Sequence, residues 1–343
     1  MAAETGHRGK VTWSRLVSLL AIAMSALLAG AVGWMVIGGR LPGPLSADDC
    51  SALVGHRVEV TDGAGLEQAL AAVKPGDVIH LADGIYRGRF EGSVSGEAAA
   101  RIEVCGSRAA VIDGGAIDTG YGFHVTADYW SLLGFSITES QKGVVLDHAN
   151  HTVLRDLAIF GIGDEGVHFR DCSSDNVVAD SEIHDVGQFD AHSGEGVYIG
   201  SAVDNWRTCS GGRPDRSDRN QVINNRIGPN TTAESVDIKE GTSATIVTGN
   251  SFDGRGMTAA DSWVDAKGNV ALISRNTGSH SPRDGFQTHV IVSGWGSGNR
   301  FTANHAQVDG PGYGFRVEGS DNVVACDNVV IGAESGMANI PCG

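Results

Sequence analysis

One short pattern recurs along this chain: a residue that is usually glycine, then two apolar residues separated by one other. The apolar pairs are Phe123/Val125, Val144/Leu146, Val167/Phe169, Val197/Ile199, Val236/Ile238, Val264/Ala266, Phe286/Thr288 and Phe315/Val317, and only Thr288 breaks the rule. Ahead of them stand Gly122, Gly143, Gly166, Gly196, Ser235, Trp263, Gly285 and Gly314. A period of two sends each pair to one face of a strand and the residue between to the other. Glycine ahead of the pair fits a backbone bending into the strand, where a side chain would crowd the bend. The mean period is about 27 residues, within the range of solenoid repeats.

A second signature follows in each unit. Asn176, Asn220, Asn299 and Asn322 precede apolar residues at one place, and Asn225, Asn250, Asn276, Asn304 and Asn328 follow at another. Asparagine accepts tight turns, and its amide can bond the next copy in a stack. Short strands, turn residues and no sustained helical period predict an all-β fold, a right-handed parallel β-helix. An antiparallel sandwich would need hairpin turns that are not apparent.

Residues 1–15 are polar and basic, with Arg8, Lys10 and Arg15, and residues 16–37 carry no charge. That run is long enough for a membrane span of roughly 20 residues and longer than the usual signal core. It is read as an anchor with a cytoplasmic N-terminus, or as a signal cleaved near Leu45-Ser46-Ala47; both place the rest outside the cytoplasm. Residues 38–50 read as a linker and 51–343 as one β-helix domain. The Gly65–Val73 stretch has helical spacing and predicts a cap over the first coil. Six cysteines in an exported chain suggest disulfides. Cys326 with Cys342 would close the last coil and Cys50 with Cys105 the first, while Cys172 and Cys209 both follow the aligned strand in neighbouring coils.

A net charge of −16 excludes the positive footprint that nucleic acid needs. It leaves room for local cationic columns that bind an acidic polysaccharide, by a monomer. Stacked coils turn outward residues into columns about 4.8 Å apart. One reads Glu165, Glu195, Glu234; the next His168, Tyr198, Asp237, Asp265; the third Arg170, Gly200, Lys239, Lys267, His289. Stacked carboxylates repel unless a cation joins them or some are protonated, and oxygen ligands at that spacing suit Ca²⁺. Glu195, Glu234, Asp237 and Asp265 are therefore candidate metal ligands. Lys239 is the candidate base, with Lys267 or His289 assisting; Arg170, Tyr198, Trp263 and His168 are candidates for holding sugar. Carboxylates, a metal and a lysine together suit β-elimination on a uronate: the metal neutralises the sugar carboxylate and the lysine takes the acidified carbon-bound proton.

The Leu66–Gly88 stretch resembles the entry segment of the parallel β-helix polysaccharide lyases of the pectate lyase-like superfamily. Glu234-Ser-Val-Asp-Ile-Lys239, followed by Gly249-Asn250-Ser251-Phe252, is similar to the chondroitinase B and alginate lyase group. The resemblance implies a lyase with Lys239 as base and Glu234 as a Ca²⁺ ligand. It also implies an arginine in the next coil, where this chain has Lys267.

Three other readings stay open at this stage. Asp237, Asp265, Lys239 and Lys267 form a quartet of surface ion pairs in one. In the second, Asp237 and Asp265 are the paired carboxylates of a glycoside hydrolase. The third is a non-catalytic glycan-binding solenoid. The insert at residues 201–219, rich in arginine, reads either as a loop beside the groove whose arginines meet acidic sugars or as a solvated loop pinned by Cys209.

Overall fold

The computed structural model describes residues 49–343. The expected segments 1–15 and 16–37 lie outside the described residues, as does all but the end of the expected linker. Among the described residues no helix is long and apolar enough to cross a membrane.

Every strand ladder is parallel, in three sheets of eleven, ten and ten strands. Each coil gives one strand to each sheet, as Lys142–Asp147, Val153–Arg155 and Ala158–Phe160 do in one coil. The next coil repeats this with Val167–Arg170, Val177–Ala179 and Glu182–His184. Parallel ladders with crossovers of this kind make a right-handed parallel β-helix and exclude the sandwich. The register matches the sequence alignment: Val236 pairs with Val197 and Val264, and Asp237 with Tyr198 and Asp265. Two coils outside the repeat, at Phe90–Gly92 and Gly336–Ala338, extend the same sheet.

Inside the solenoid the apolar pairs stack into one core, with Phe123, Phe169, Phe286 and Phe315 fully buried. Burying each such ring contributes about 1.5–3 kcal/mol. The asparagines form the ladder their chemistry suggests. Asn225, Asn250, Asn276 and Asn304 each donate from Nδ2 to the Oδ1 of the next, at 3.0 Å, ending on Asn328.

The glycines ahead of the pairs are needed for room. A Cβ on Gly122, Gly143, Gly166 or Gly196 would come within 2.4–2.6 Å of an isoleucine side chain, from Ile137, Ile159, Ile183 and Ile227 respectively. Trp263 breaks that rule by reversing it. Its ring lies where a Cβ on Gly278 would collide at 2.4 Å, so the large residue has moved to the other sheet. Trp263 is wholly buried, edge-on to Phe286 at 5.6 Å, and its Nε1 donates to the Ser279 carbonyl. The sequence expectation that it stacks on sugar is corrected: a core residue offers no face to a ligand.

The capping helix runs Gly63–Ala72, starting two residues earlier than expected because Asp62 caps it by accepting from Gly65 N. Leu66 and Leu70 seat it on the first coil. Cys50 bonds Cys105 and Cys326 bonds Cys342, whereas Cys172 and Cys209 are free thiols. Cys209 closes a short helix, Trp206–Cys209, inside the insert, well past the place that Cys172 occupies in its own coil.

Candidate active site

The outward side of the second sheet carries the charged columns. Val167–Arg170, Val197–Ile199, Val236–Ile238 and Val264–Ala266 are consecutive rungs there. Each is pinned by its inward pair, so the outward residue between has no freedom to turn away.

Over these rungs lies a cleft of about 430 Å³, lined among others by Lys142, Glu165, His168, Glu195, Tyr198 and Lys239. Arg170 is also on its wall. Lys239 Nζ sits 4.7 Å above the centre of the Tyr198 ring, a cation–π distance. His168 meets the same ring edge-on at 4.4 Å and is bonded through Nε2 to the Gly200 carbonyl, at 3.0 Å. Burial, with Asp237 and Glu195 adding to it, raises the Tyr198 phenol far above its ordinary range.

Arg170 is held by Asp147, through Nε at 2.6 Å and Nη2 at 2.9 Å, and lies over the Tyr121 ring. Burial would raise the Glu165 carboxyl, yet His168 and Lys142 beside it hold it down at about 2. His168 Nδ1 is 3.3 Å from Glu165 Oε1, close enough for an ion pair but not aligned for a hydrogen bond.

One rung on, the quartet is a buried network rather than a surface one. Asp237 is 1% exposed. Lys267 Nζ donates to both Asp237 oxygens at 2.8 Å and lies 3.0 Å from Asp265 Oδ2. Lys239 Nζ is 2.5 Å from Asp237 Oδ2, and His289 Nδ1 is 2.9 Å from each Asp265 oxygen. Burial works against charge on Lys267, but Asp237 and Asp265 outweigh it and raise the ammonium well above the lysine range. Burial would raise Asp265, and Lys267 and His289 instead hold it well below the carboxylate range. Its hydrogen bond to Asp265 raises His289. Lys267 is thus a fixed cation, unsuited to taking a proton. Asp237 and Asp265 share that one ammonium, so neither is placed as the acid of a hydrolase pair.

Glu195, Glu234 and Asp237 bring one oxygen each within 4.8 Å of one another. Glu195 is 5% exposed and its Oε2 is buried without a partner. Burial first, then Glu165, Asp237 and Glu234, raise the Glu195 carboxyl well above its ordinary range. Burial and Asp237 push Glu234 up to about 7. A proton or a cation would satisfy such a group. Ca²⁺ takes 6–8 oxygens, and the third member of this trio is already held by two ammonium groups. Asp265 lies outside the trio, tied to Lys267 and His289, so the expected ligand set of four is not assembled.

Residues beyond the periodic strands complete the cleft. His192 and Ser193 come from a turn, Ala191–Ser193, and Asn205, Thr208 and Cys209 from the insert. The insert does stand beside the groove, but Asp215 pins it: its carboxylate accepts from Ser201, Ser217 and the backbone of Asp171 and Cys172. Arg219 is spent on Asp175, and Arg216 on Asp218 and the Trp295 ring. Only coil length signals these walls. Val167 to Val197 takes 30 residues and Val197 to Val236 takes 39, against 23 from Val144 to Val167.

No protein-family model matches the chain, and no curated protein does. Among solved structures it is similar to an alginate lyase from Paenibacillus sp. str. FPU-7, at 38% identity over 83% of this chain and 99% of that one, with a TM-score of 0.78. It is also similar in fold to the pectate lyase Pel9A, at 17% identity over 82% of this chain and 81% of that one, with a TM-score of 0.58. The alginate lyase AlyGC, at 16% identity, aligns over 81% of this chain and 38% of its own, with a TM-score of 0.61.

Proposed function

Because the chain belongs to the parallel β-helix polysaccharide lyases, the family of that Paenibacillus alginate lyase, we propose that it cleaves a uronate-containing glycan by β-elimination, with Lys239 and Tyr198 moving the protons. The observation that carries this is the position of Lys239 Nζ, 4.7 Å over the Tyr198 ring on the floor of the cleft.

The charge balance favours Lys239 as base. Lys267 lies between the two buried aspartates and offsets part of their charge, and burial with the surrounding carboxylates disfavours the charged form of Glu195. In the reacting form Lys239 has released its ammonium proton to solvent, and the amine takes the proton from the carbon next to the uronate carboxylate. The electron pair of that C–H bond forms the carbon–carbon double bond, and the neighbouring carbon–oxygen bond breaks. Tyr198, kept as a phenol by its buried and anionic surroundings, gives its proton to the departing oxygen. Lys142 and Arg170 add positive potential on the wall.

This reading assigns to side chains the charge neutralisation that the sequence alone assigns to Ca²⁺. The orphaned Glu195 oxygen favours the calcium reading, and the two lysines on Asp237 oppose it. The test is a panel of polyuronates followed by ultraviolet absorbance of the unsaturated product, with and without chelator. Product that persists in chelator is expected. Loss of product on chelation would restore the metal, and reducing ends without unsaturation would point to hydrolysis. Binding without any product would leave only a glycan-binding solenoid. Export and membrane attachment through residues 16–37 are proposed from the same sequence argument, and fractionation of cells checks them.

A further inference from the structure

The groove does not end at the catalytic rungs. Along the middle column the register runs Asp237, Asp265, Gln287, Arg316, which puts Arg316 three rungs, roughly 14 Å, beyond Asp237. There a second hollow of about 320 Å³ is lined by Arg283, Asp284, Tyr313 and Arg316 among others. Its two guanidiniums differ from those at the other end of the groove. Arg170 is locked to Asp147 by two short hydrogen bonds. Arg316 comes no nearer than 3.7 Å to Glu318, and Arg283 no nearer than 3.7 Å to Asp284 and 3.9 Å to Asp261.

Those separations exceed hydrogen-bond length, so each fork-shaped donor is held only by loose ion pairing. The acid between them pairs with Arg283 only at 3.7 Å, because its oxygens are engaged elsewhere. Asp284 is buried, with Oδ1 accepting from Tyr313 N and Oδ2 from Gln287 Nε2. It holds the hollow's shape. In a chain of net charge −16, two loosely paired guanidiniums beside a tyrosine, with Arg316 in line with the catalytic column, form a receptor for a planar anion that can displace the longer contacts.

We propose that Arg283 and Arg316 form a distal subsite that binds the carboxylate of a uronate further along the same polymer, so that long chains are held at two points. The inference rests on the lyase reading for the identity of the ligand, and on its own geometry for the site. A chain too short to span three rungs reaches only the catalytic end.

The experiment compares wild type with the double variant R283Q/R316Q on a uronate trisaccharide and on a long polyuronate. The variant is expected to raise KM about tenfold on the polymer, with kcat and the trisaccharide KM unchanged. An unchanged KM on the polymer, or an equal rise on both lengths, overturns the subsite while leaving the lyase reading standing. Retardation in gels containing polyuronate or neutral dextran, using K239A with and without the double change, reads binding without turnover. Loss of polyuronate-specific retardation with the double change supports the subsite even if no uronate is ever cleaved; retardation that persists refutes it.

Discussion

Two lysines one rung apart sit in the same column, each two residues after an aspartate, yet their surroundings are opposite. Lys267 is buried between Asp237 and Asp265 and raised well above the lysine range. Lys239 has one carboxylate partner, lines the cleft and lies over Tyr198. The column position is equal, and the number of carboxylates within reach decides the chemistry. Lys267 holds the rungs together and takes most of the Asp237 carboxylate, which leaves Lys239 the more exposed of the two at the cleft.

The sharpest way to break this contrast is to delete each ammonium in turn. K239A is expected to lower kcat by about 10³-fold or more with little change in Tm. K267M should do the reverse first: it removes the ammonium that joins two buried carboxylates, leaving Asp237 only Lys239 and Asp265 only His289, and costs about 3–5 kcal/mol of stability, seen as a lower midpoint in urea. Equal losses of stability in both variants would show that the two lysines share one structural role.

A smaller effect, about 10²-fold on kcat, is expected for Y198F, which keeps the ring under Lys239 and removes only the hydroxyl. Activity on a substrate with a good leaving group should fall less, because departure then needs no acid. Equal loss on both substrates would remove Tyr198 as the proton donor.

The smallest expected effect concerns pH. The fold pushes Glu234 from 4.5 up to about 7, so the folded chain binds this proton more tightly than the unfolded one. Below about pH 4.5 the group costs nothing; between there and about 7 stability is lost as pH rises, and the loss persists above. E234Q should therefore raise Tm by a few degrees at pH 8 and change it little at pH 4.5. A Tm gain of the same size at both pH values would show that charge is not its source.

The periodic part of the molecule was legible from sequence because alternation leaves one register in which Val236, Val264 and their fellows all face inward. The columns therefore came out in their true order, down to Asp237 beside Asp265. Depth did not. Asp237-Ile238-Lys239 and Asp265-Ala266-Lys267 are alike as text, and only packing shows which ammonium is enclosed. Trp263 misled for a related reason: its inward turn depends on Gly278, a residue in another sheet. The cleft walls at His192 and Asn205 belong to segments with no period, where alignment to the repeat has nothing to say.

The exchange of bulk between Trp263 and Gly278 also constrains how this coil can drift. A glycine replacing Trp263 leaves a void that Gly278 cannot fill, at a cost of about 3–5 kcal/mol, and any side chain added at Gly278 strikes the indole. Each residue is acceptable only in the company of the other. A lineage leaving this arrangement must cross a poorly packed intermediate, so the tryptophan–glycine couple should persist as a mark of shared descent even where the surface charges have been rewritten.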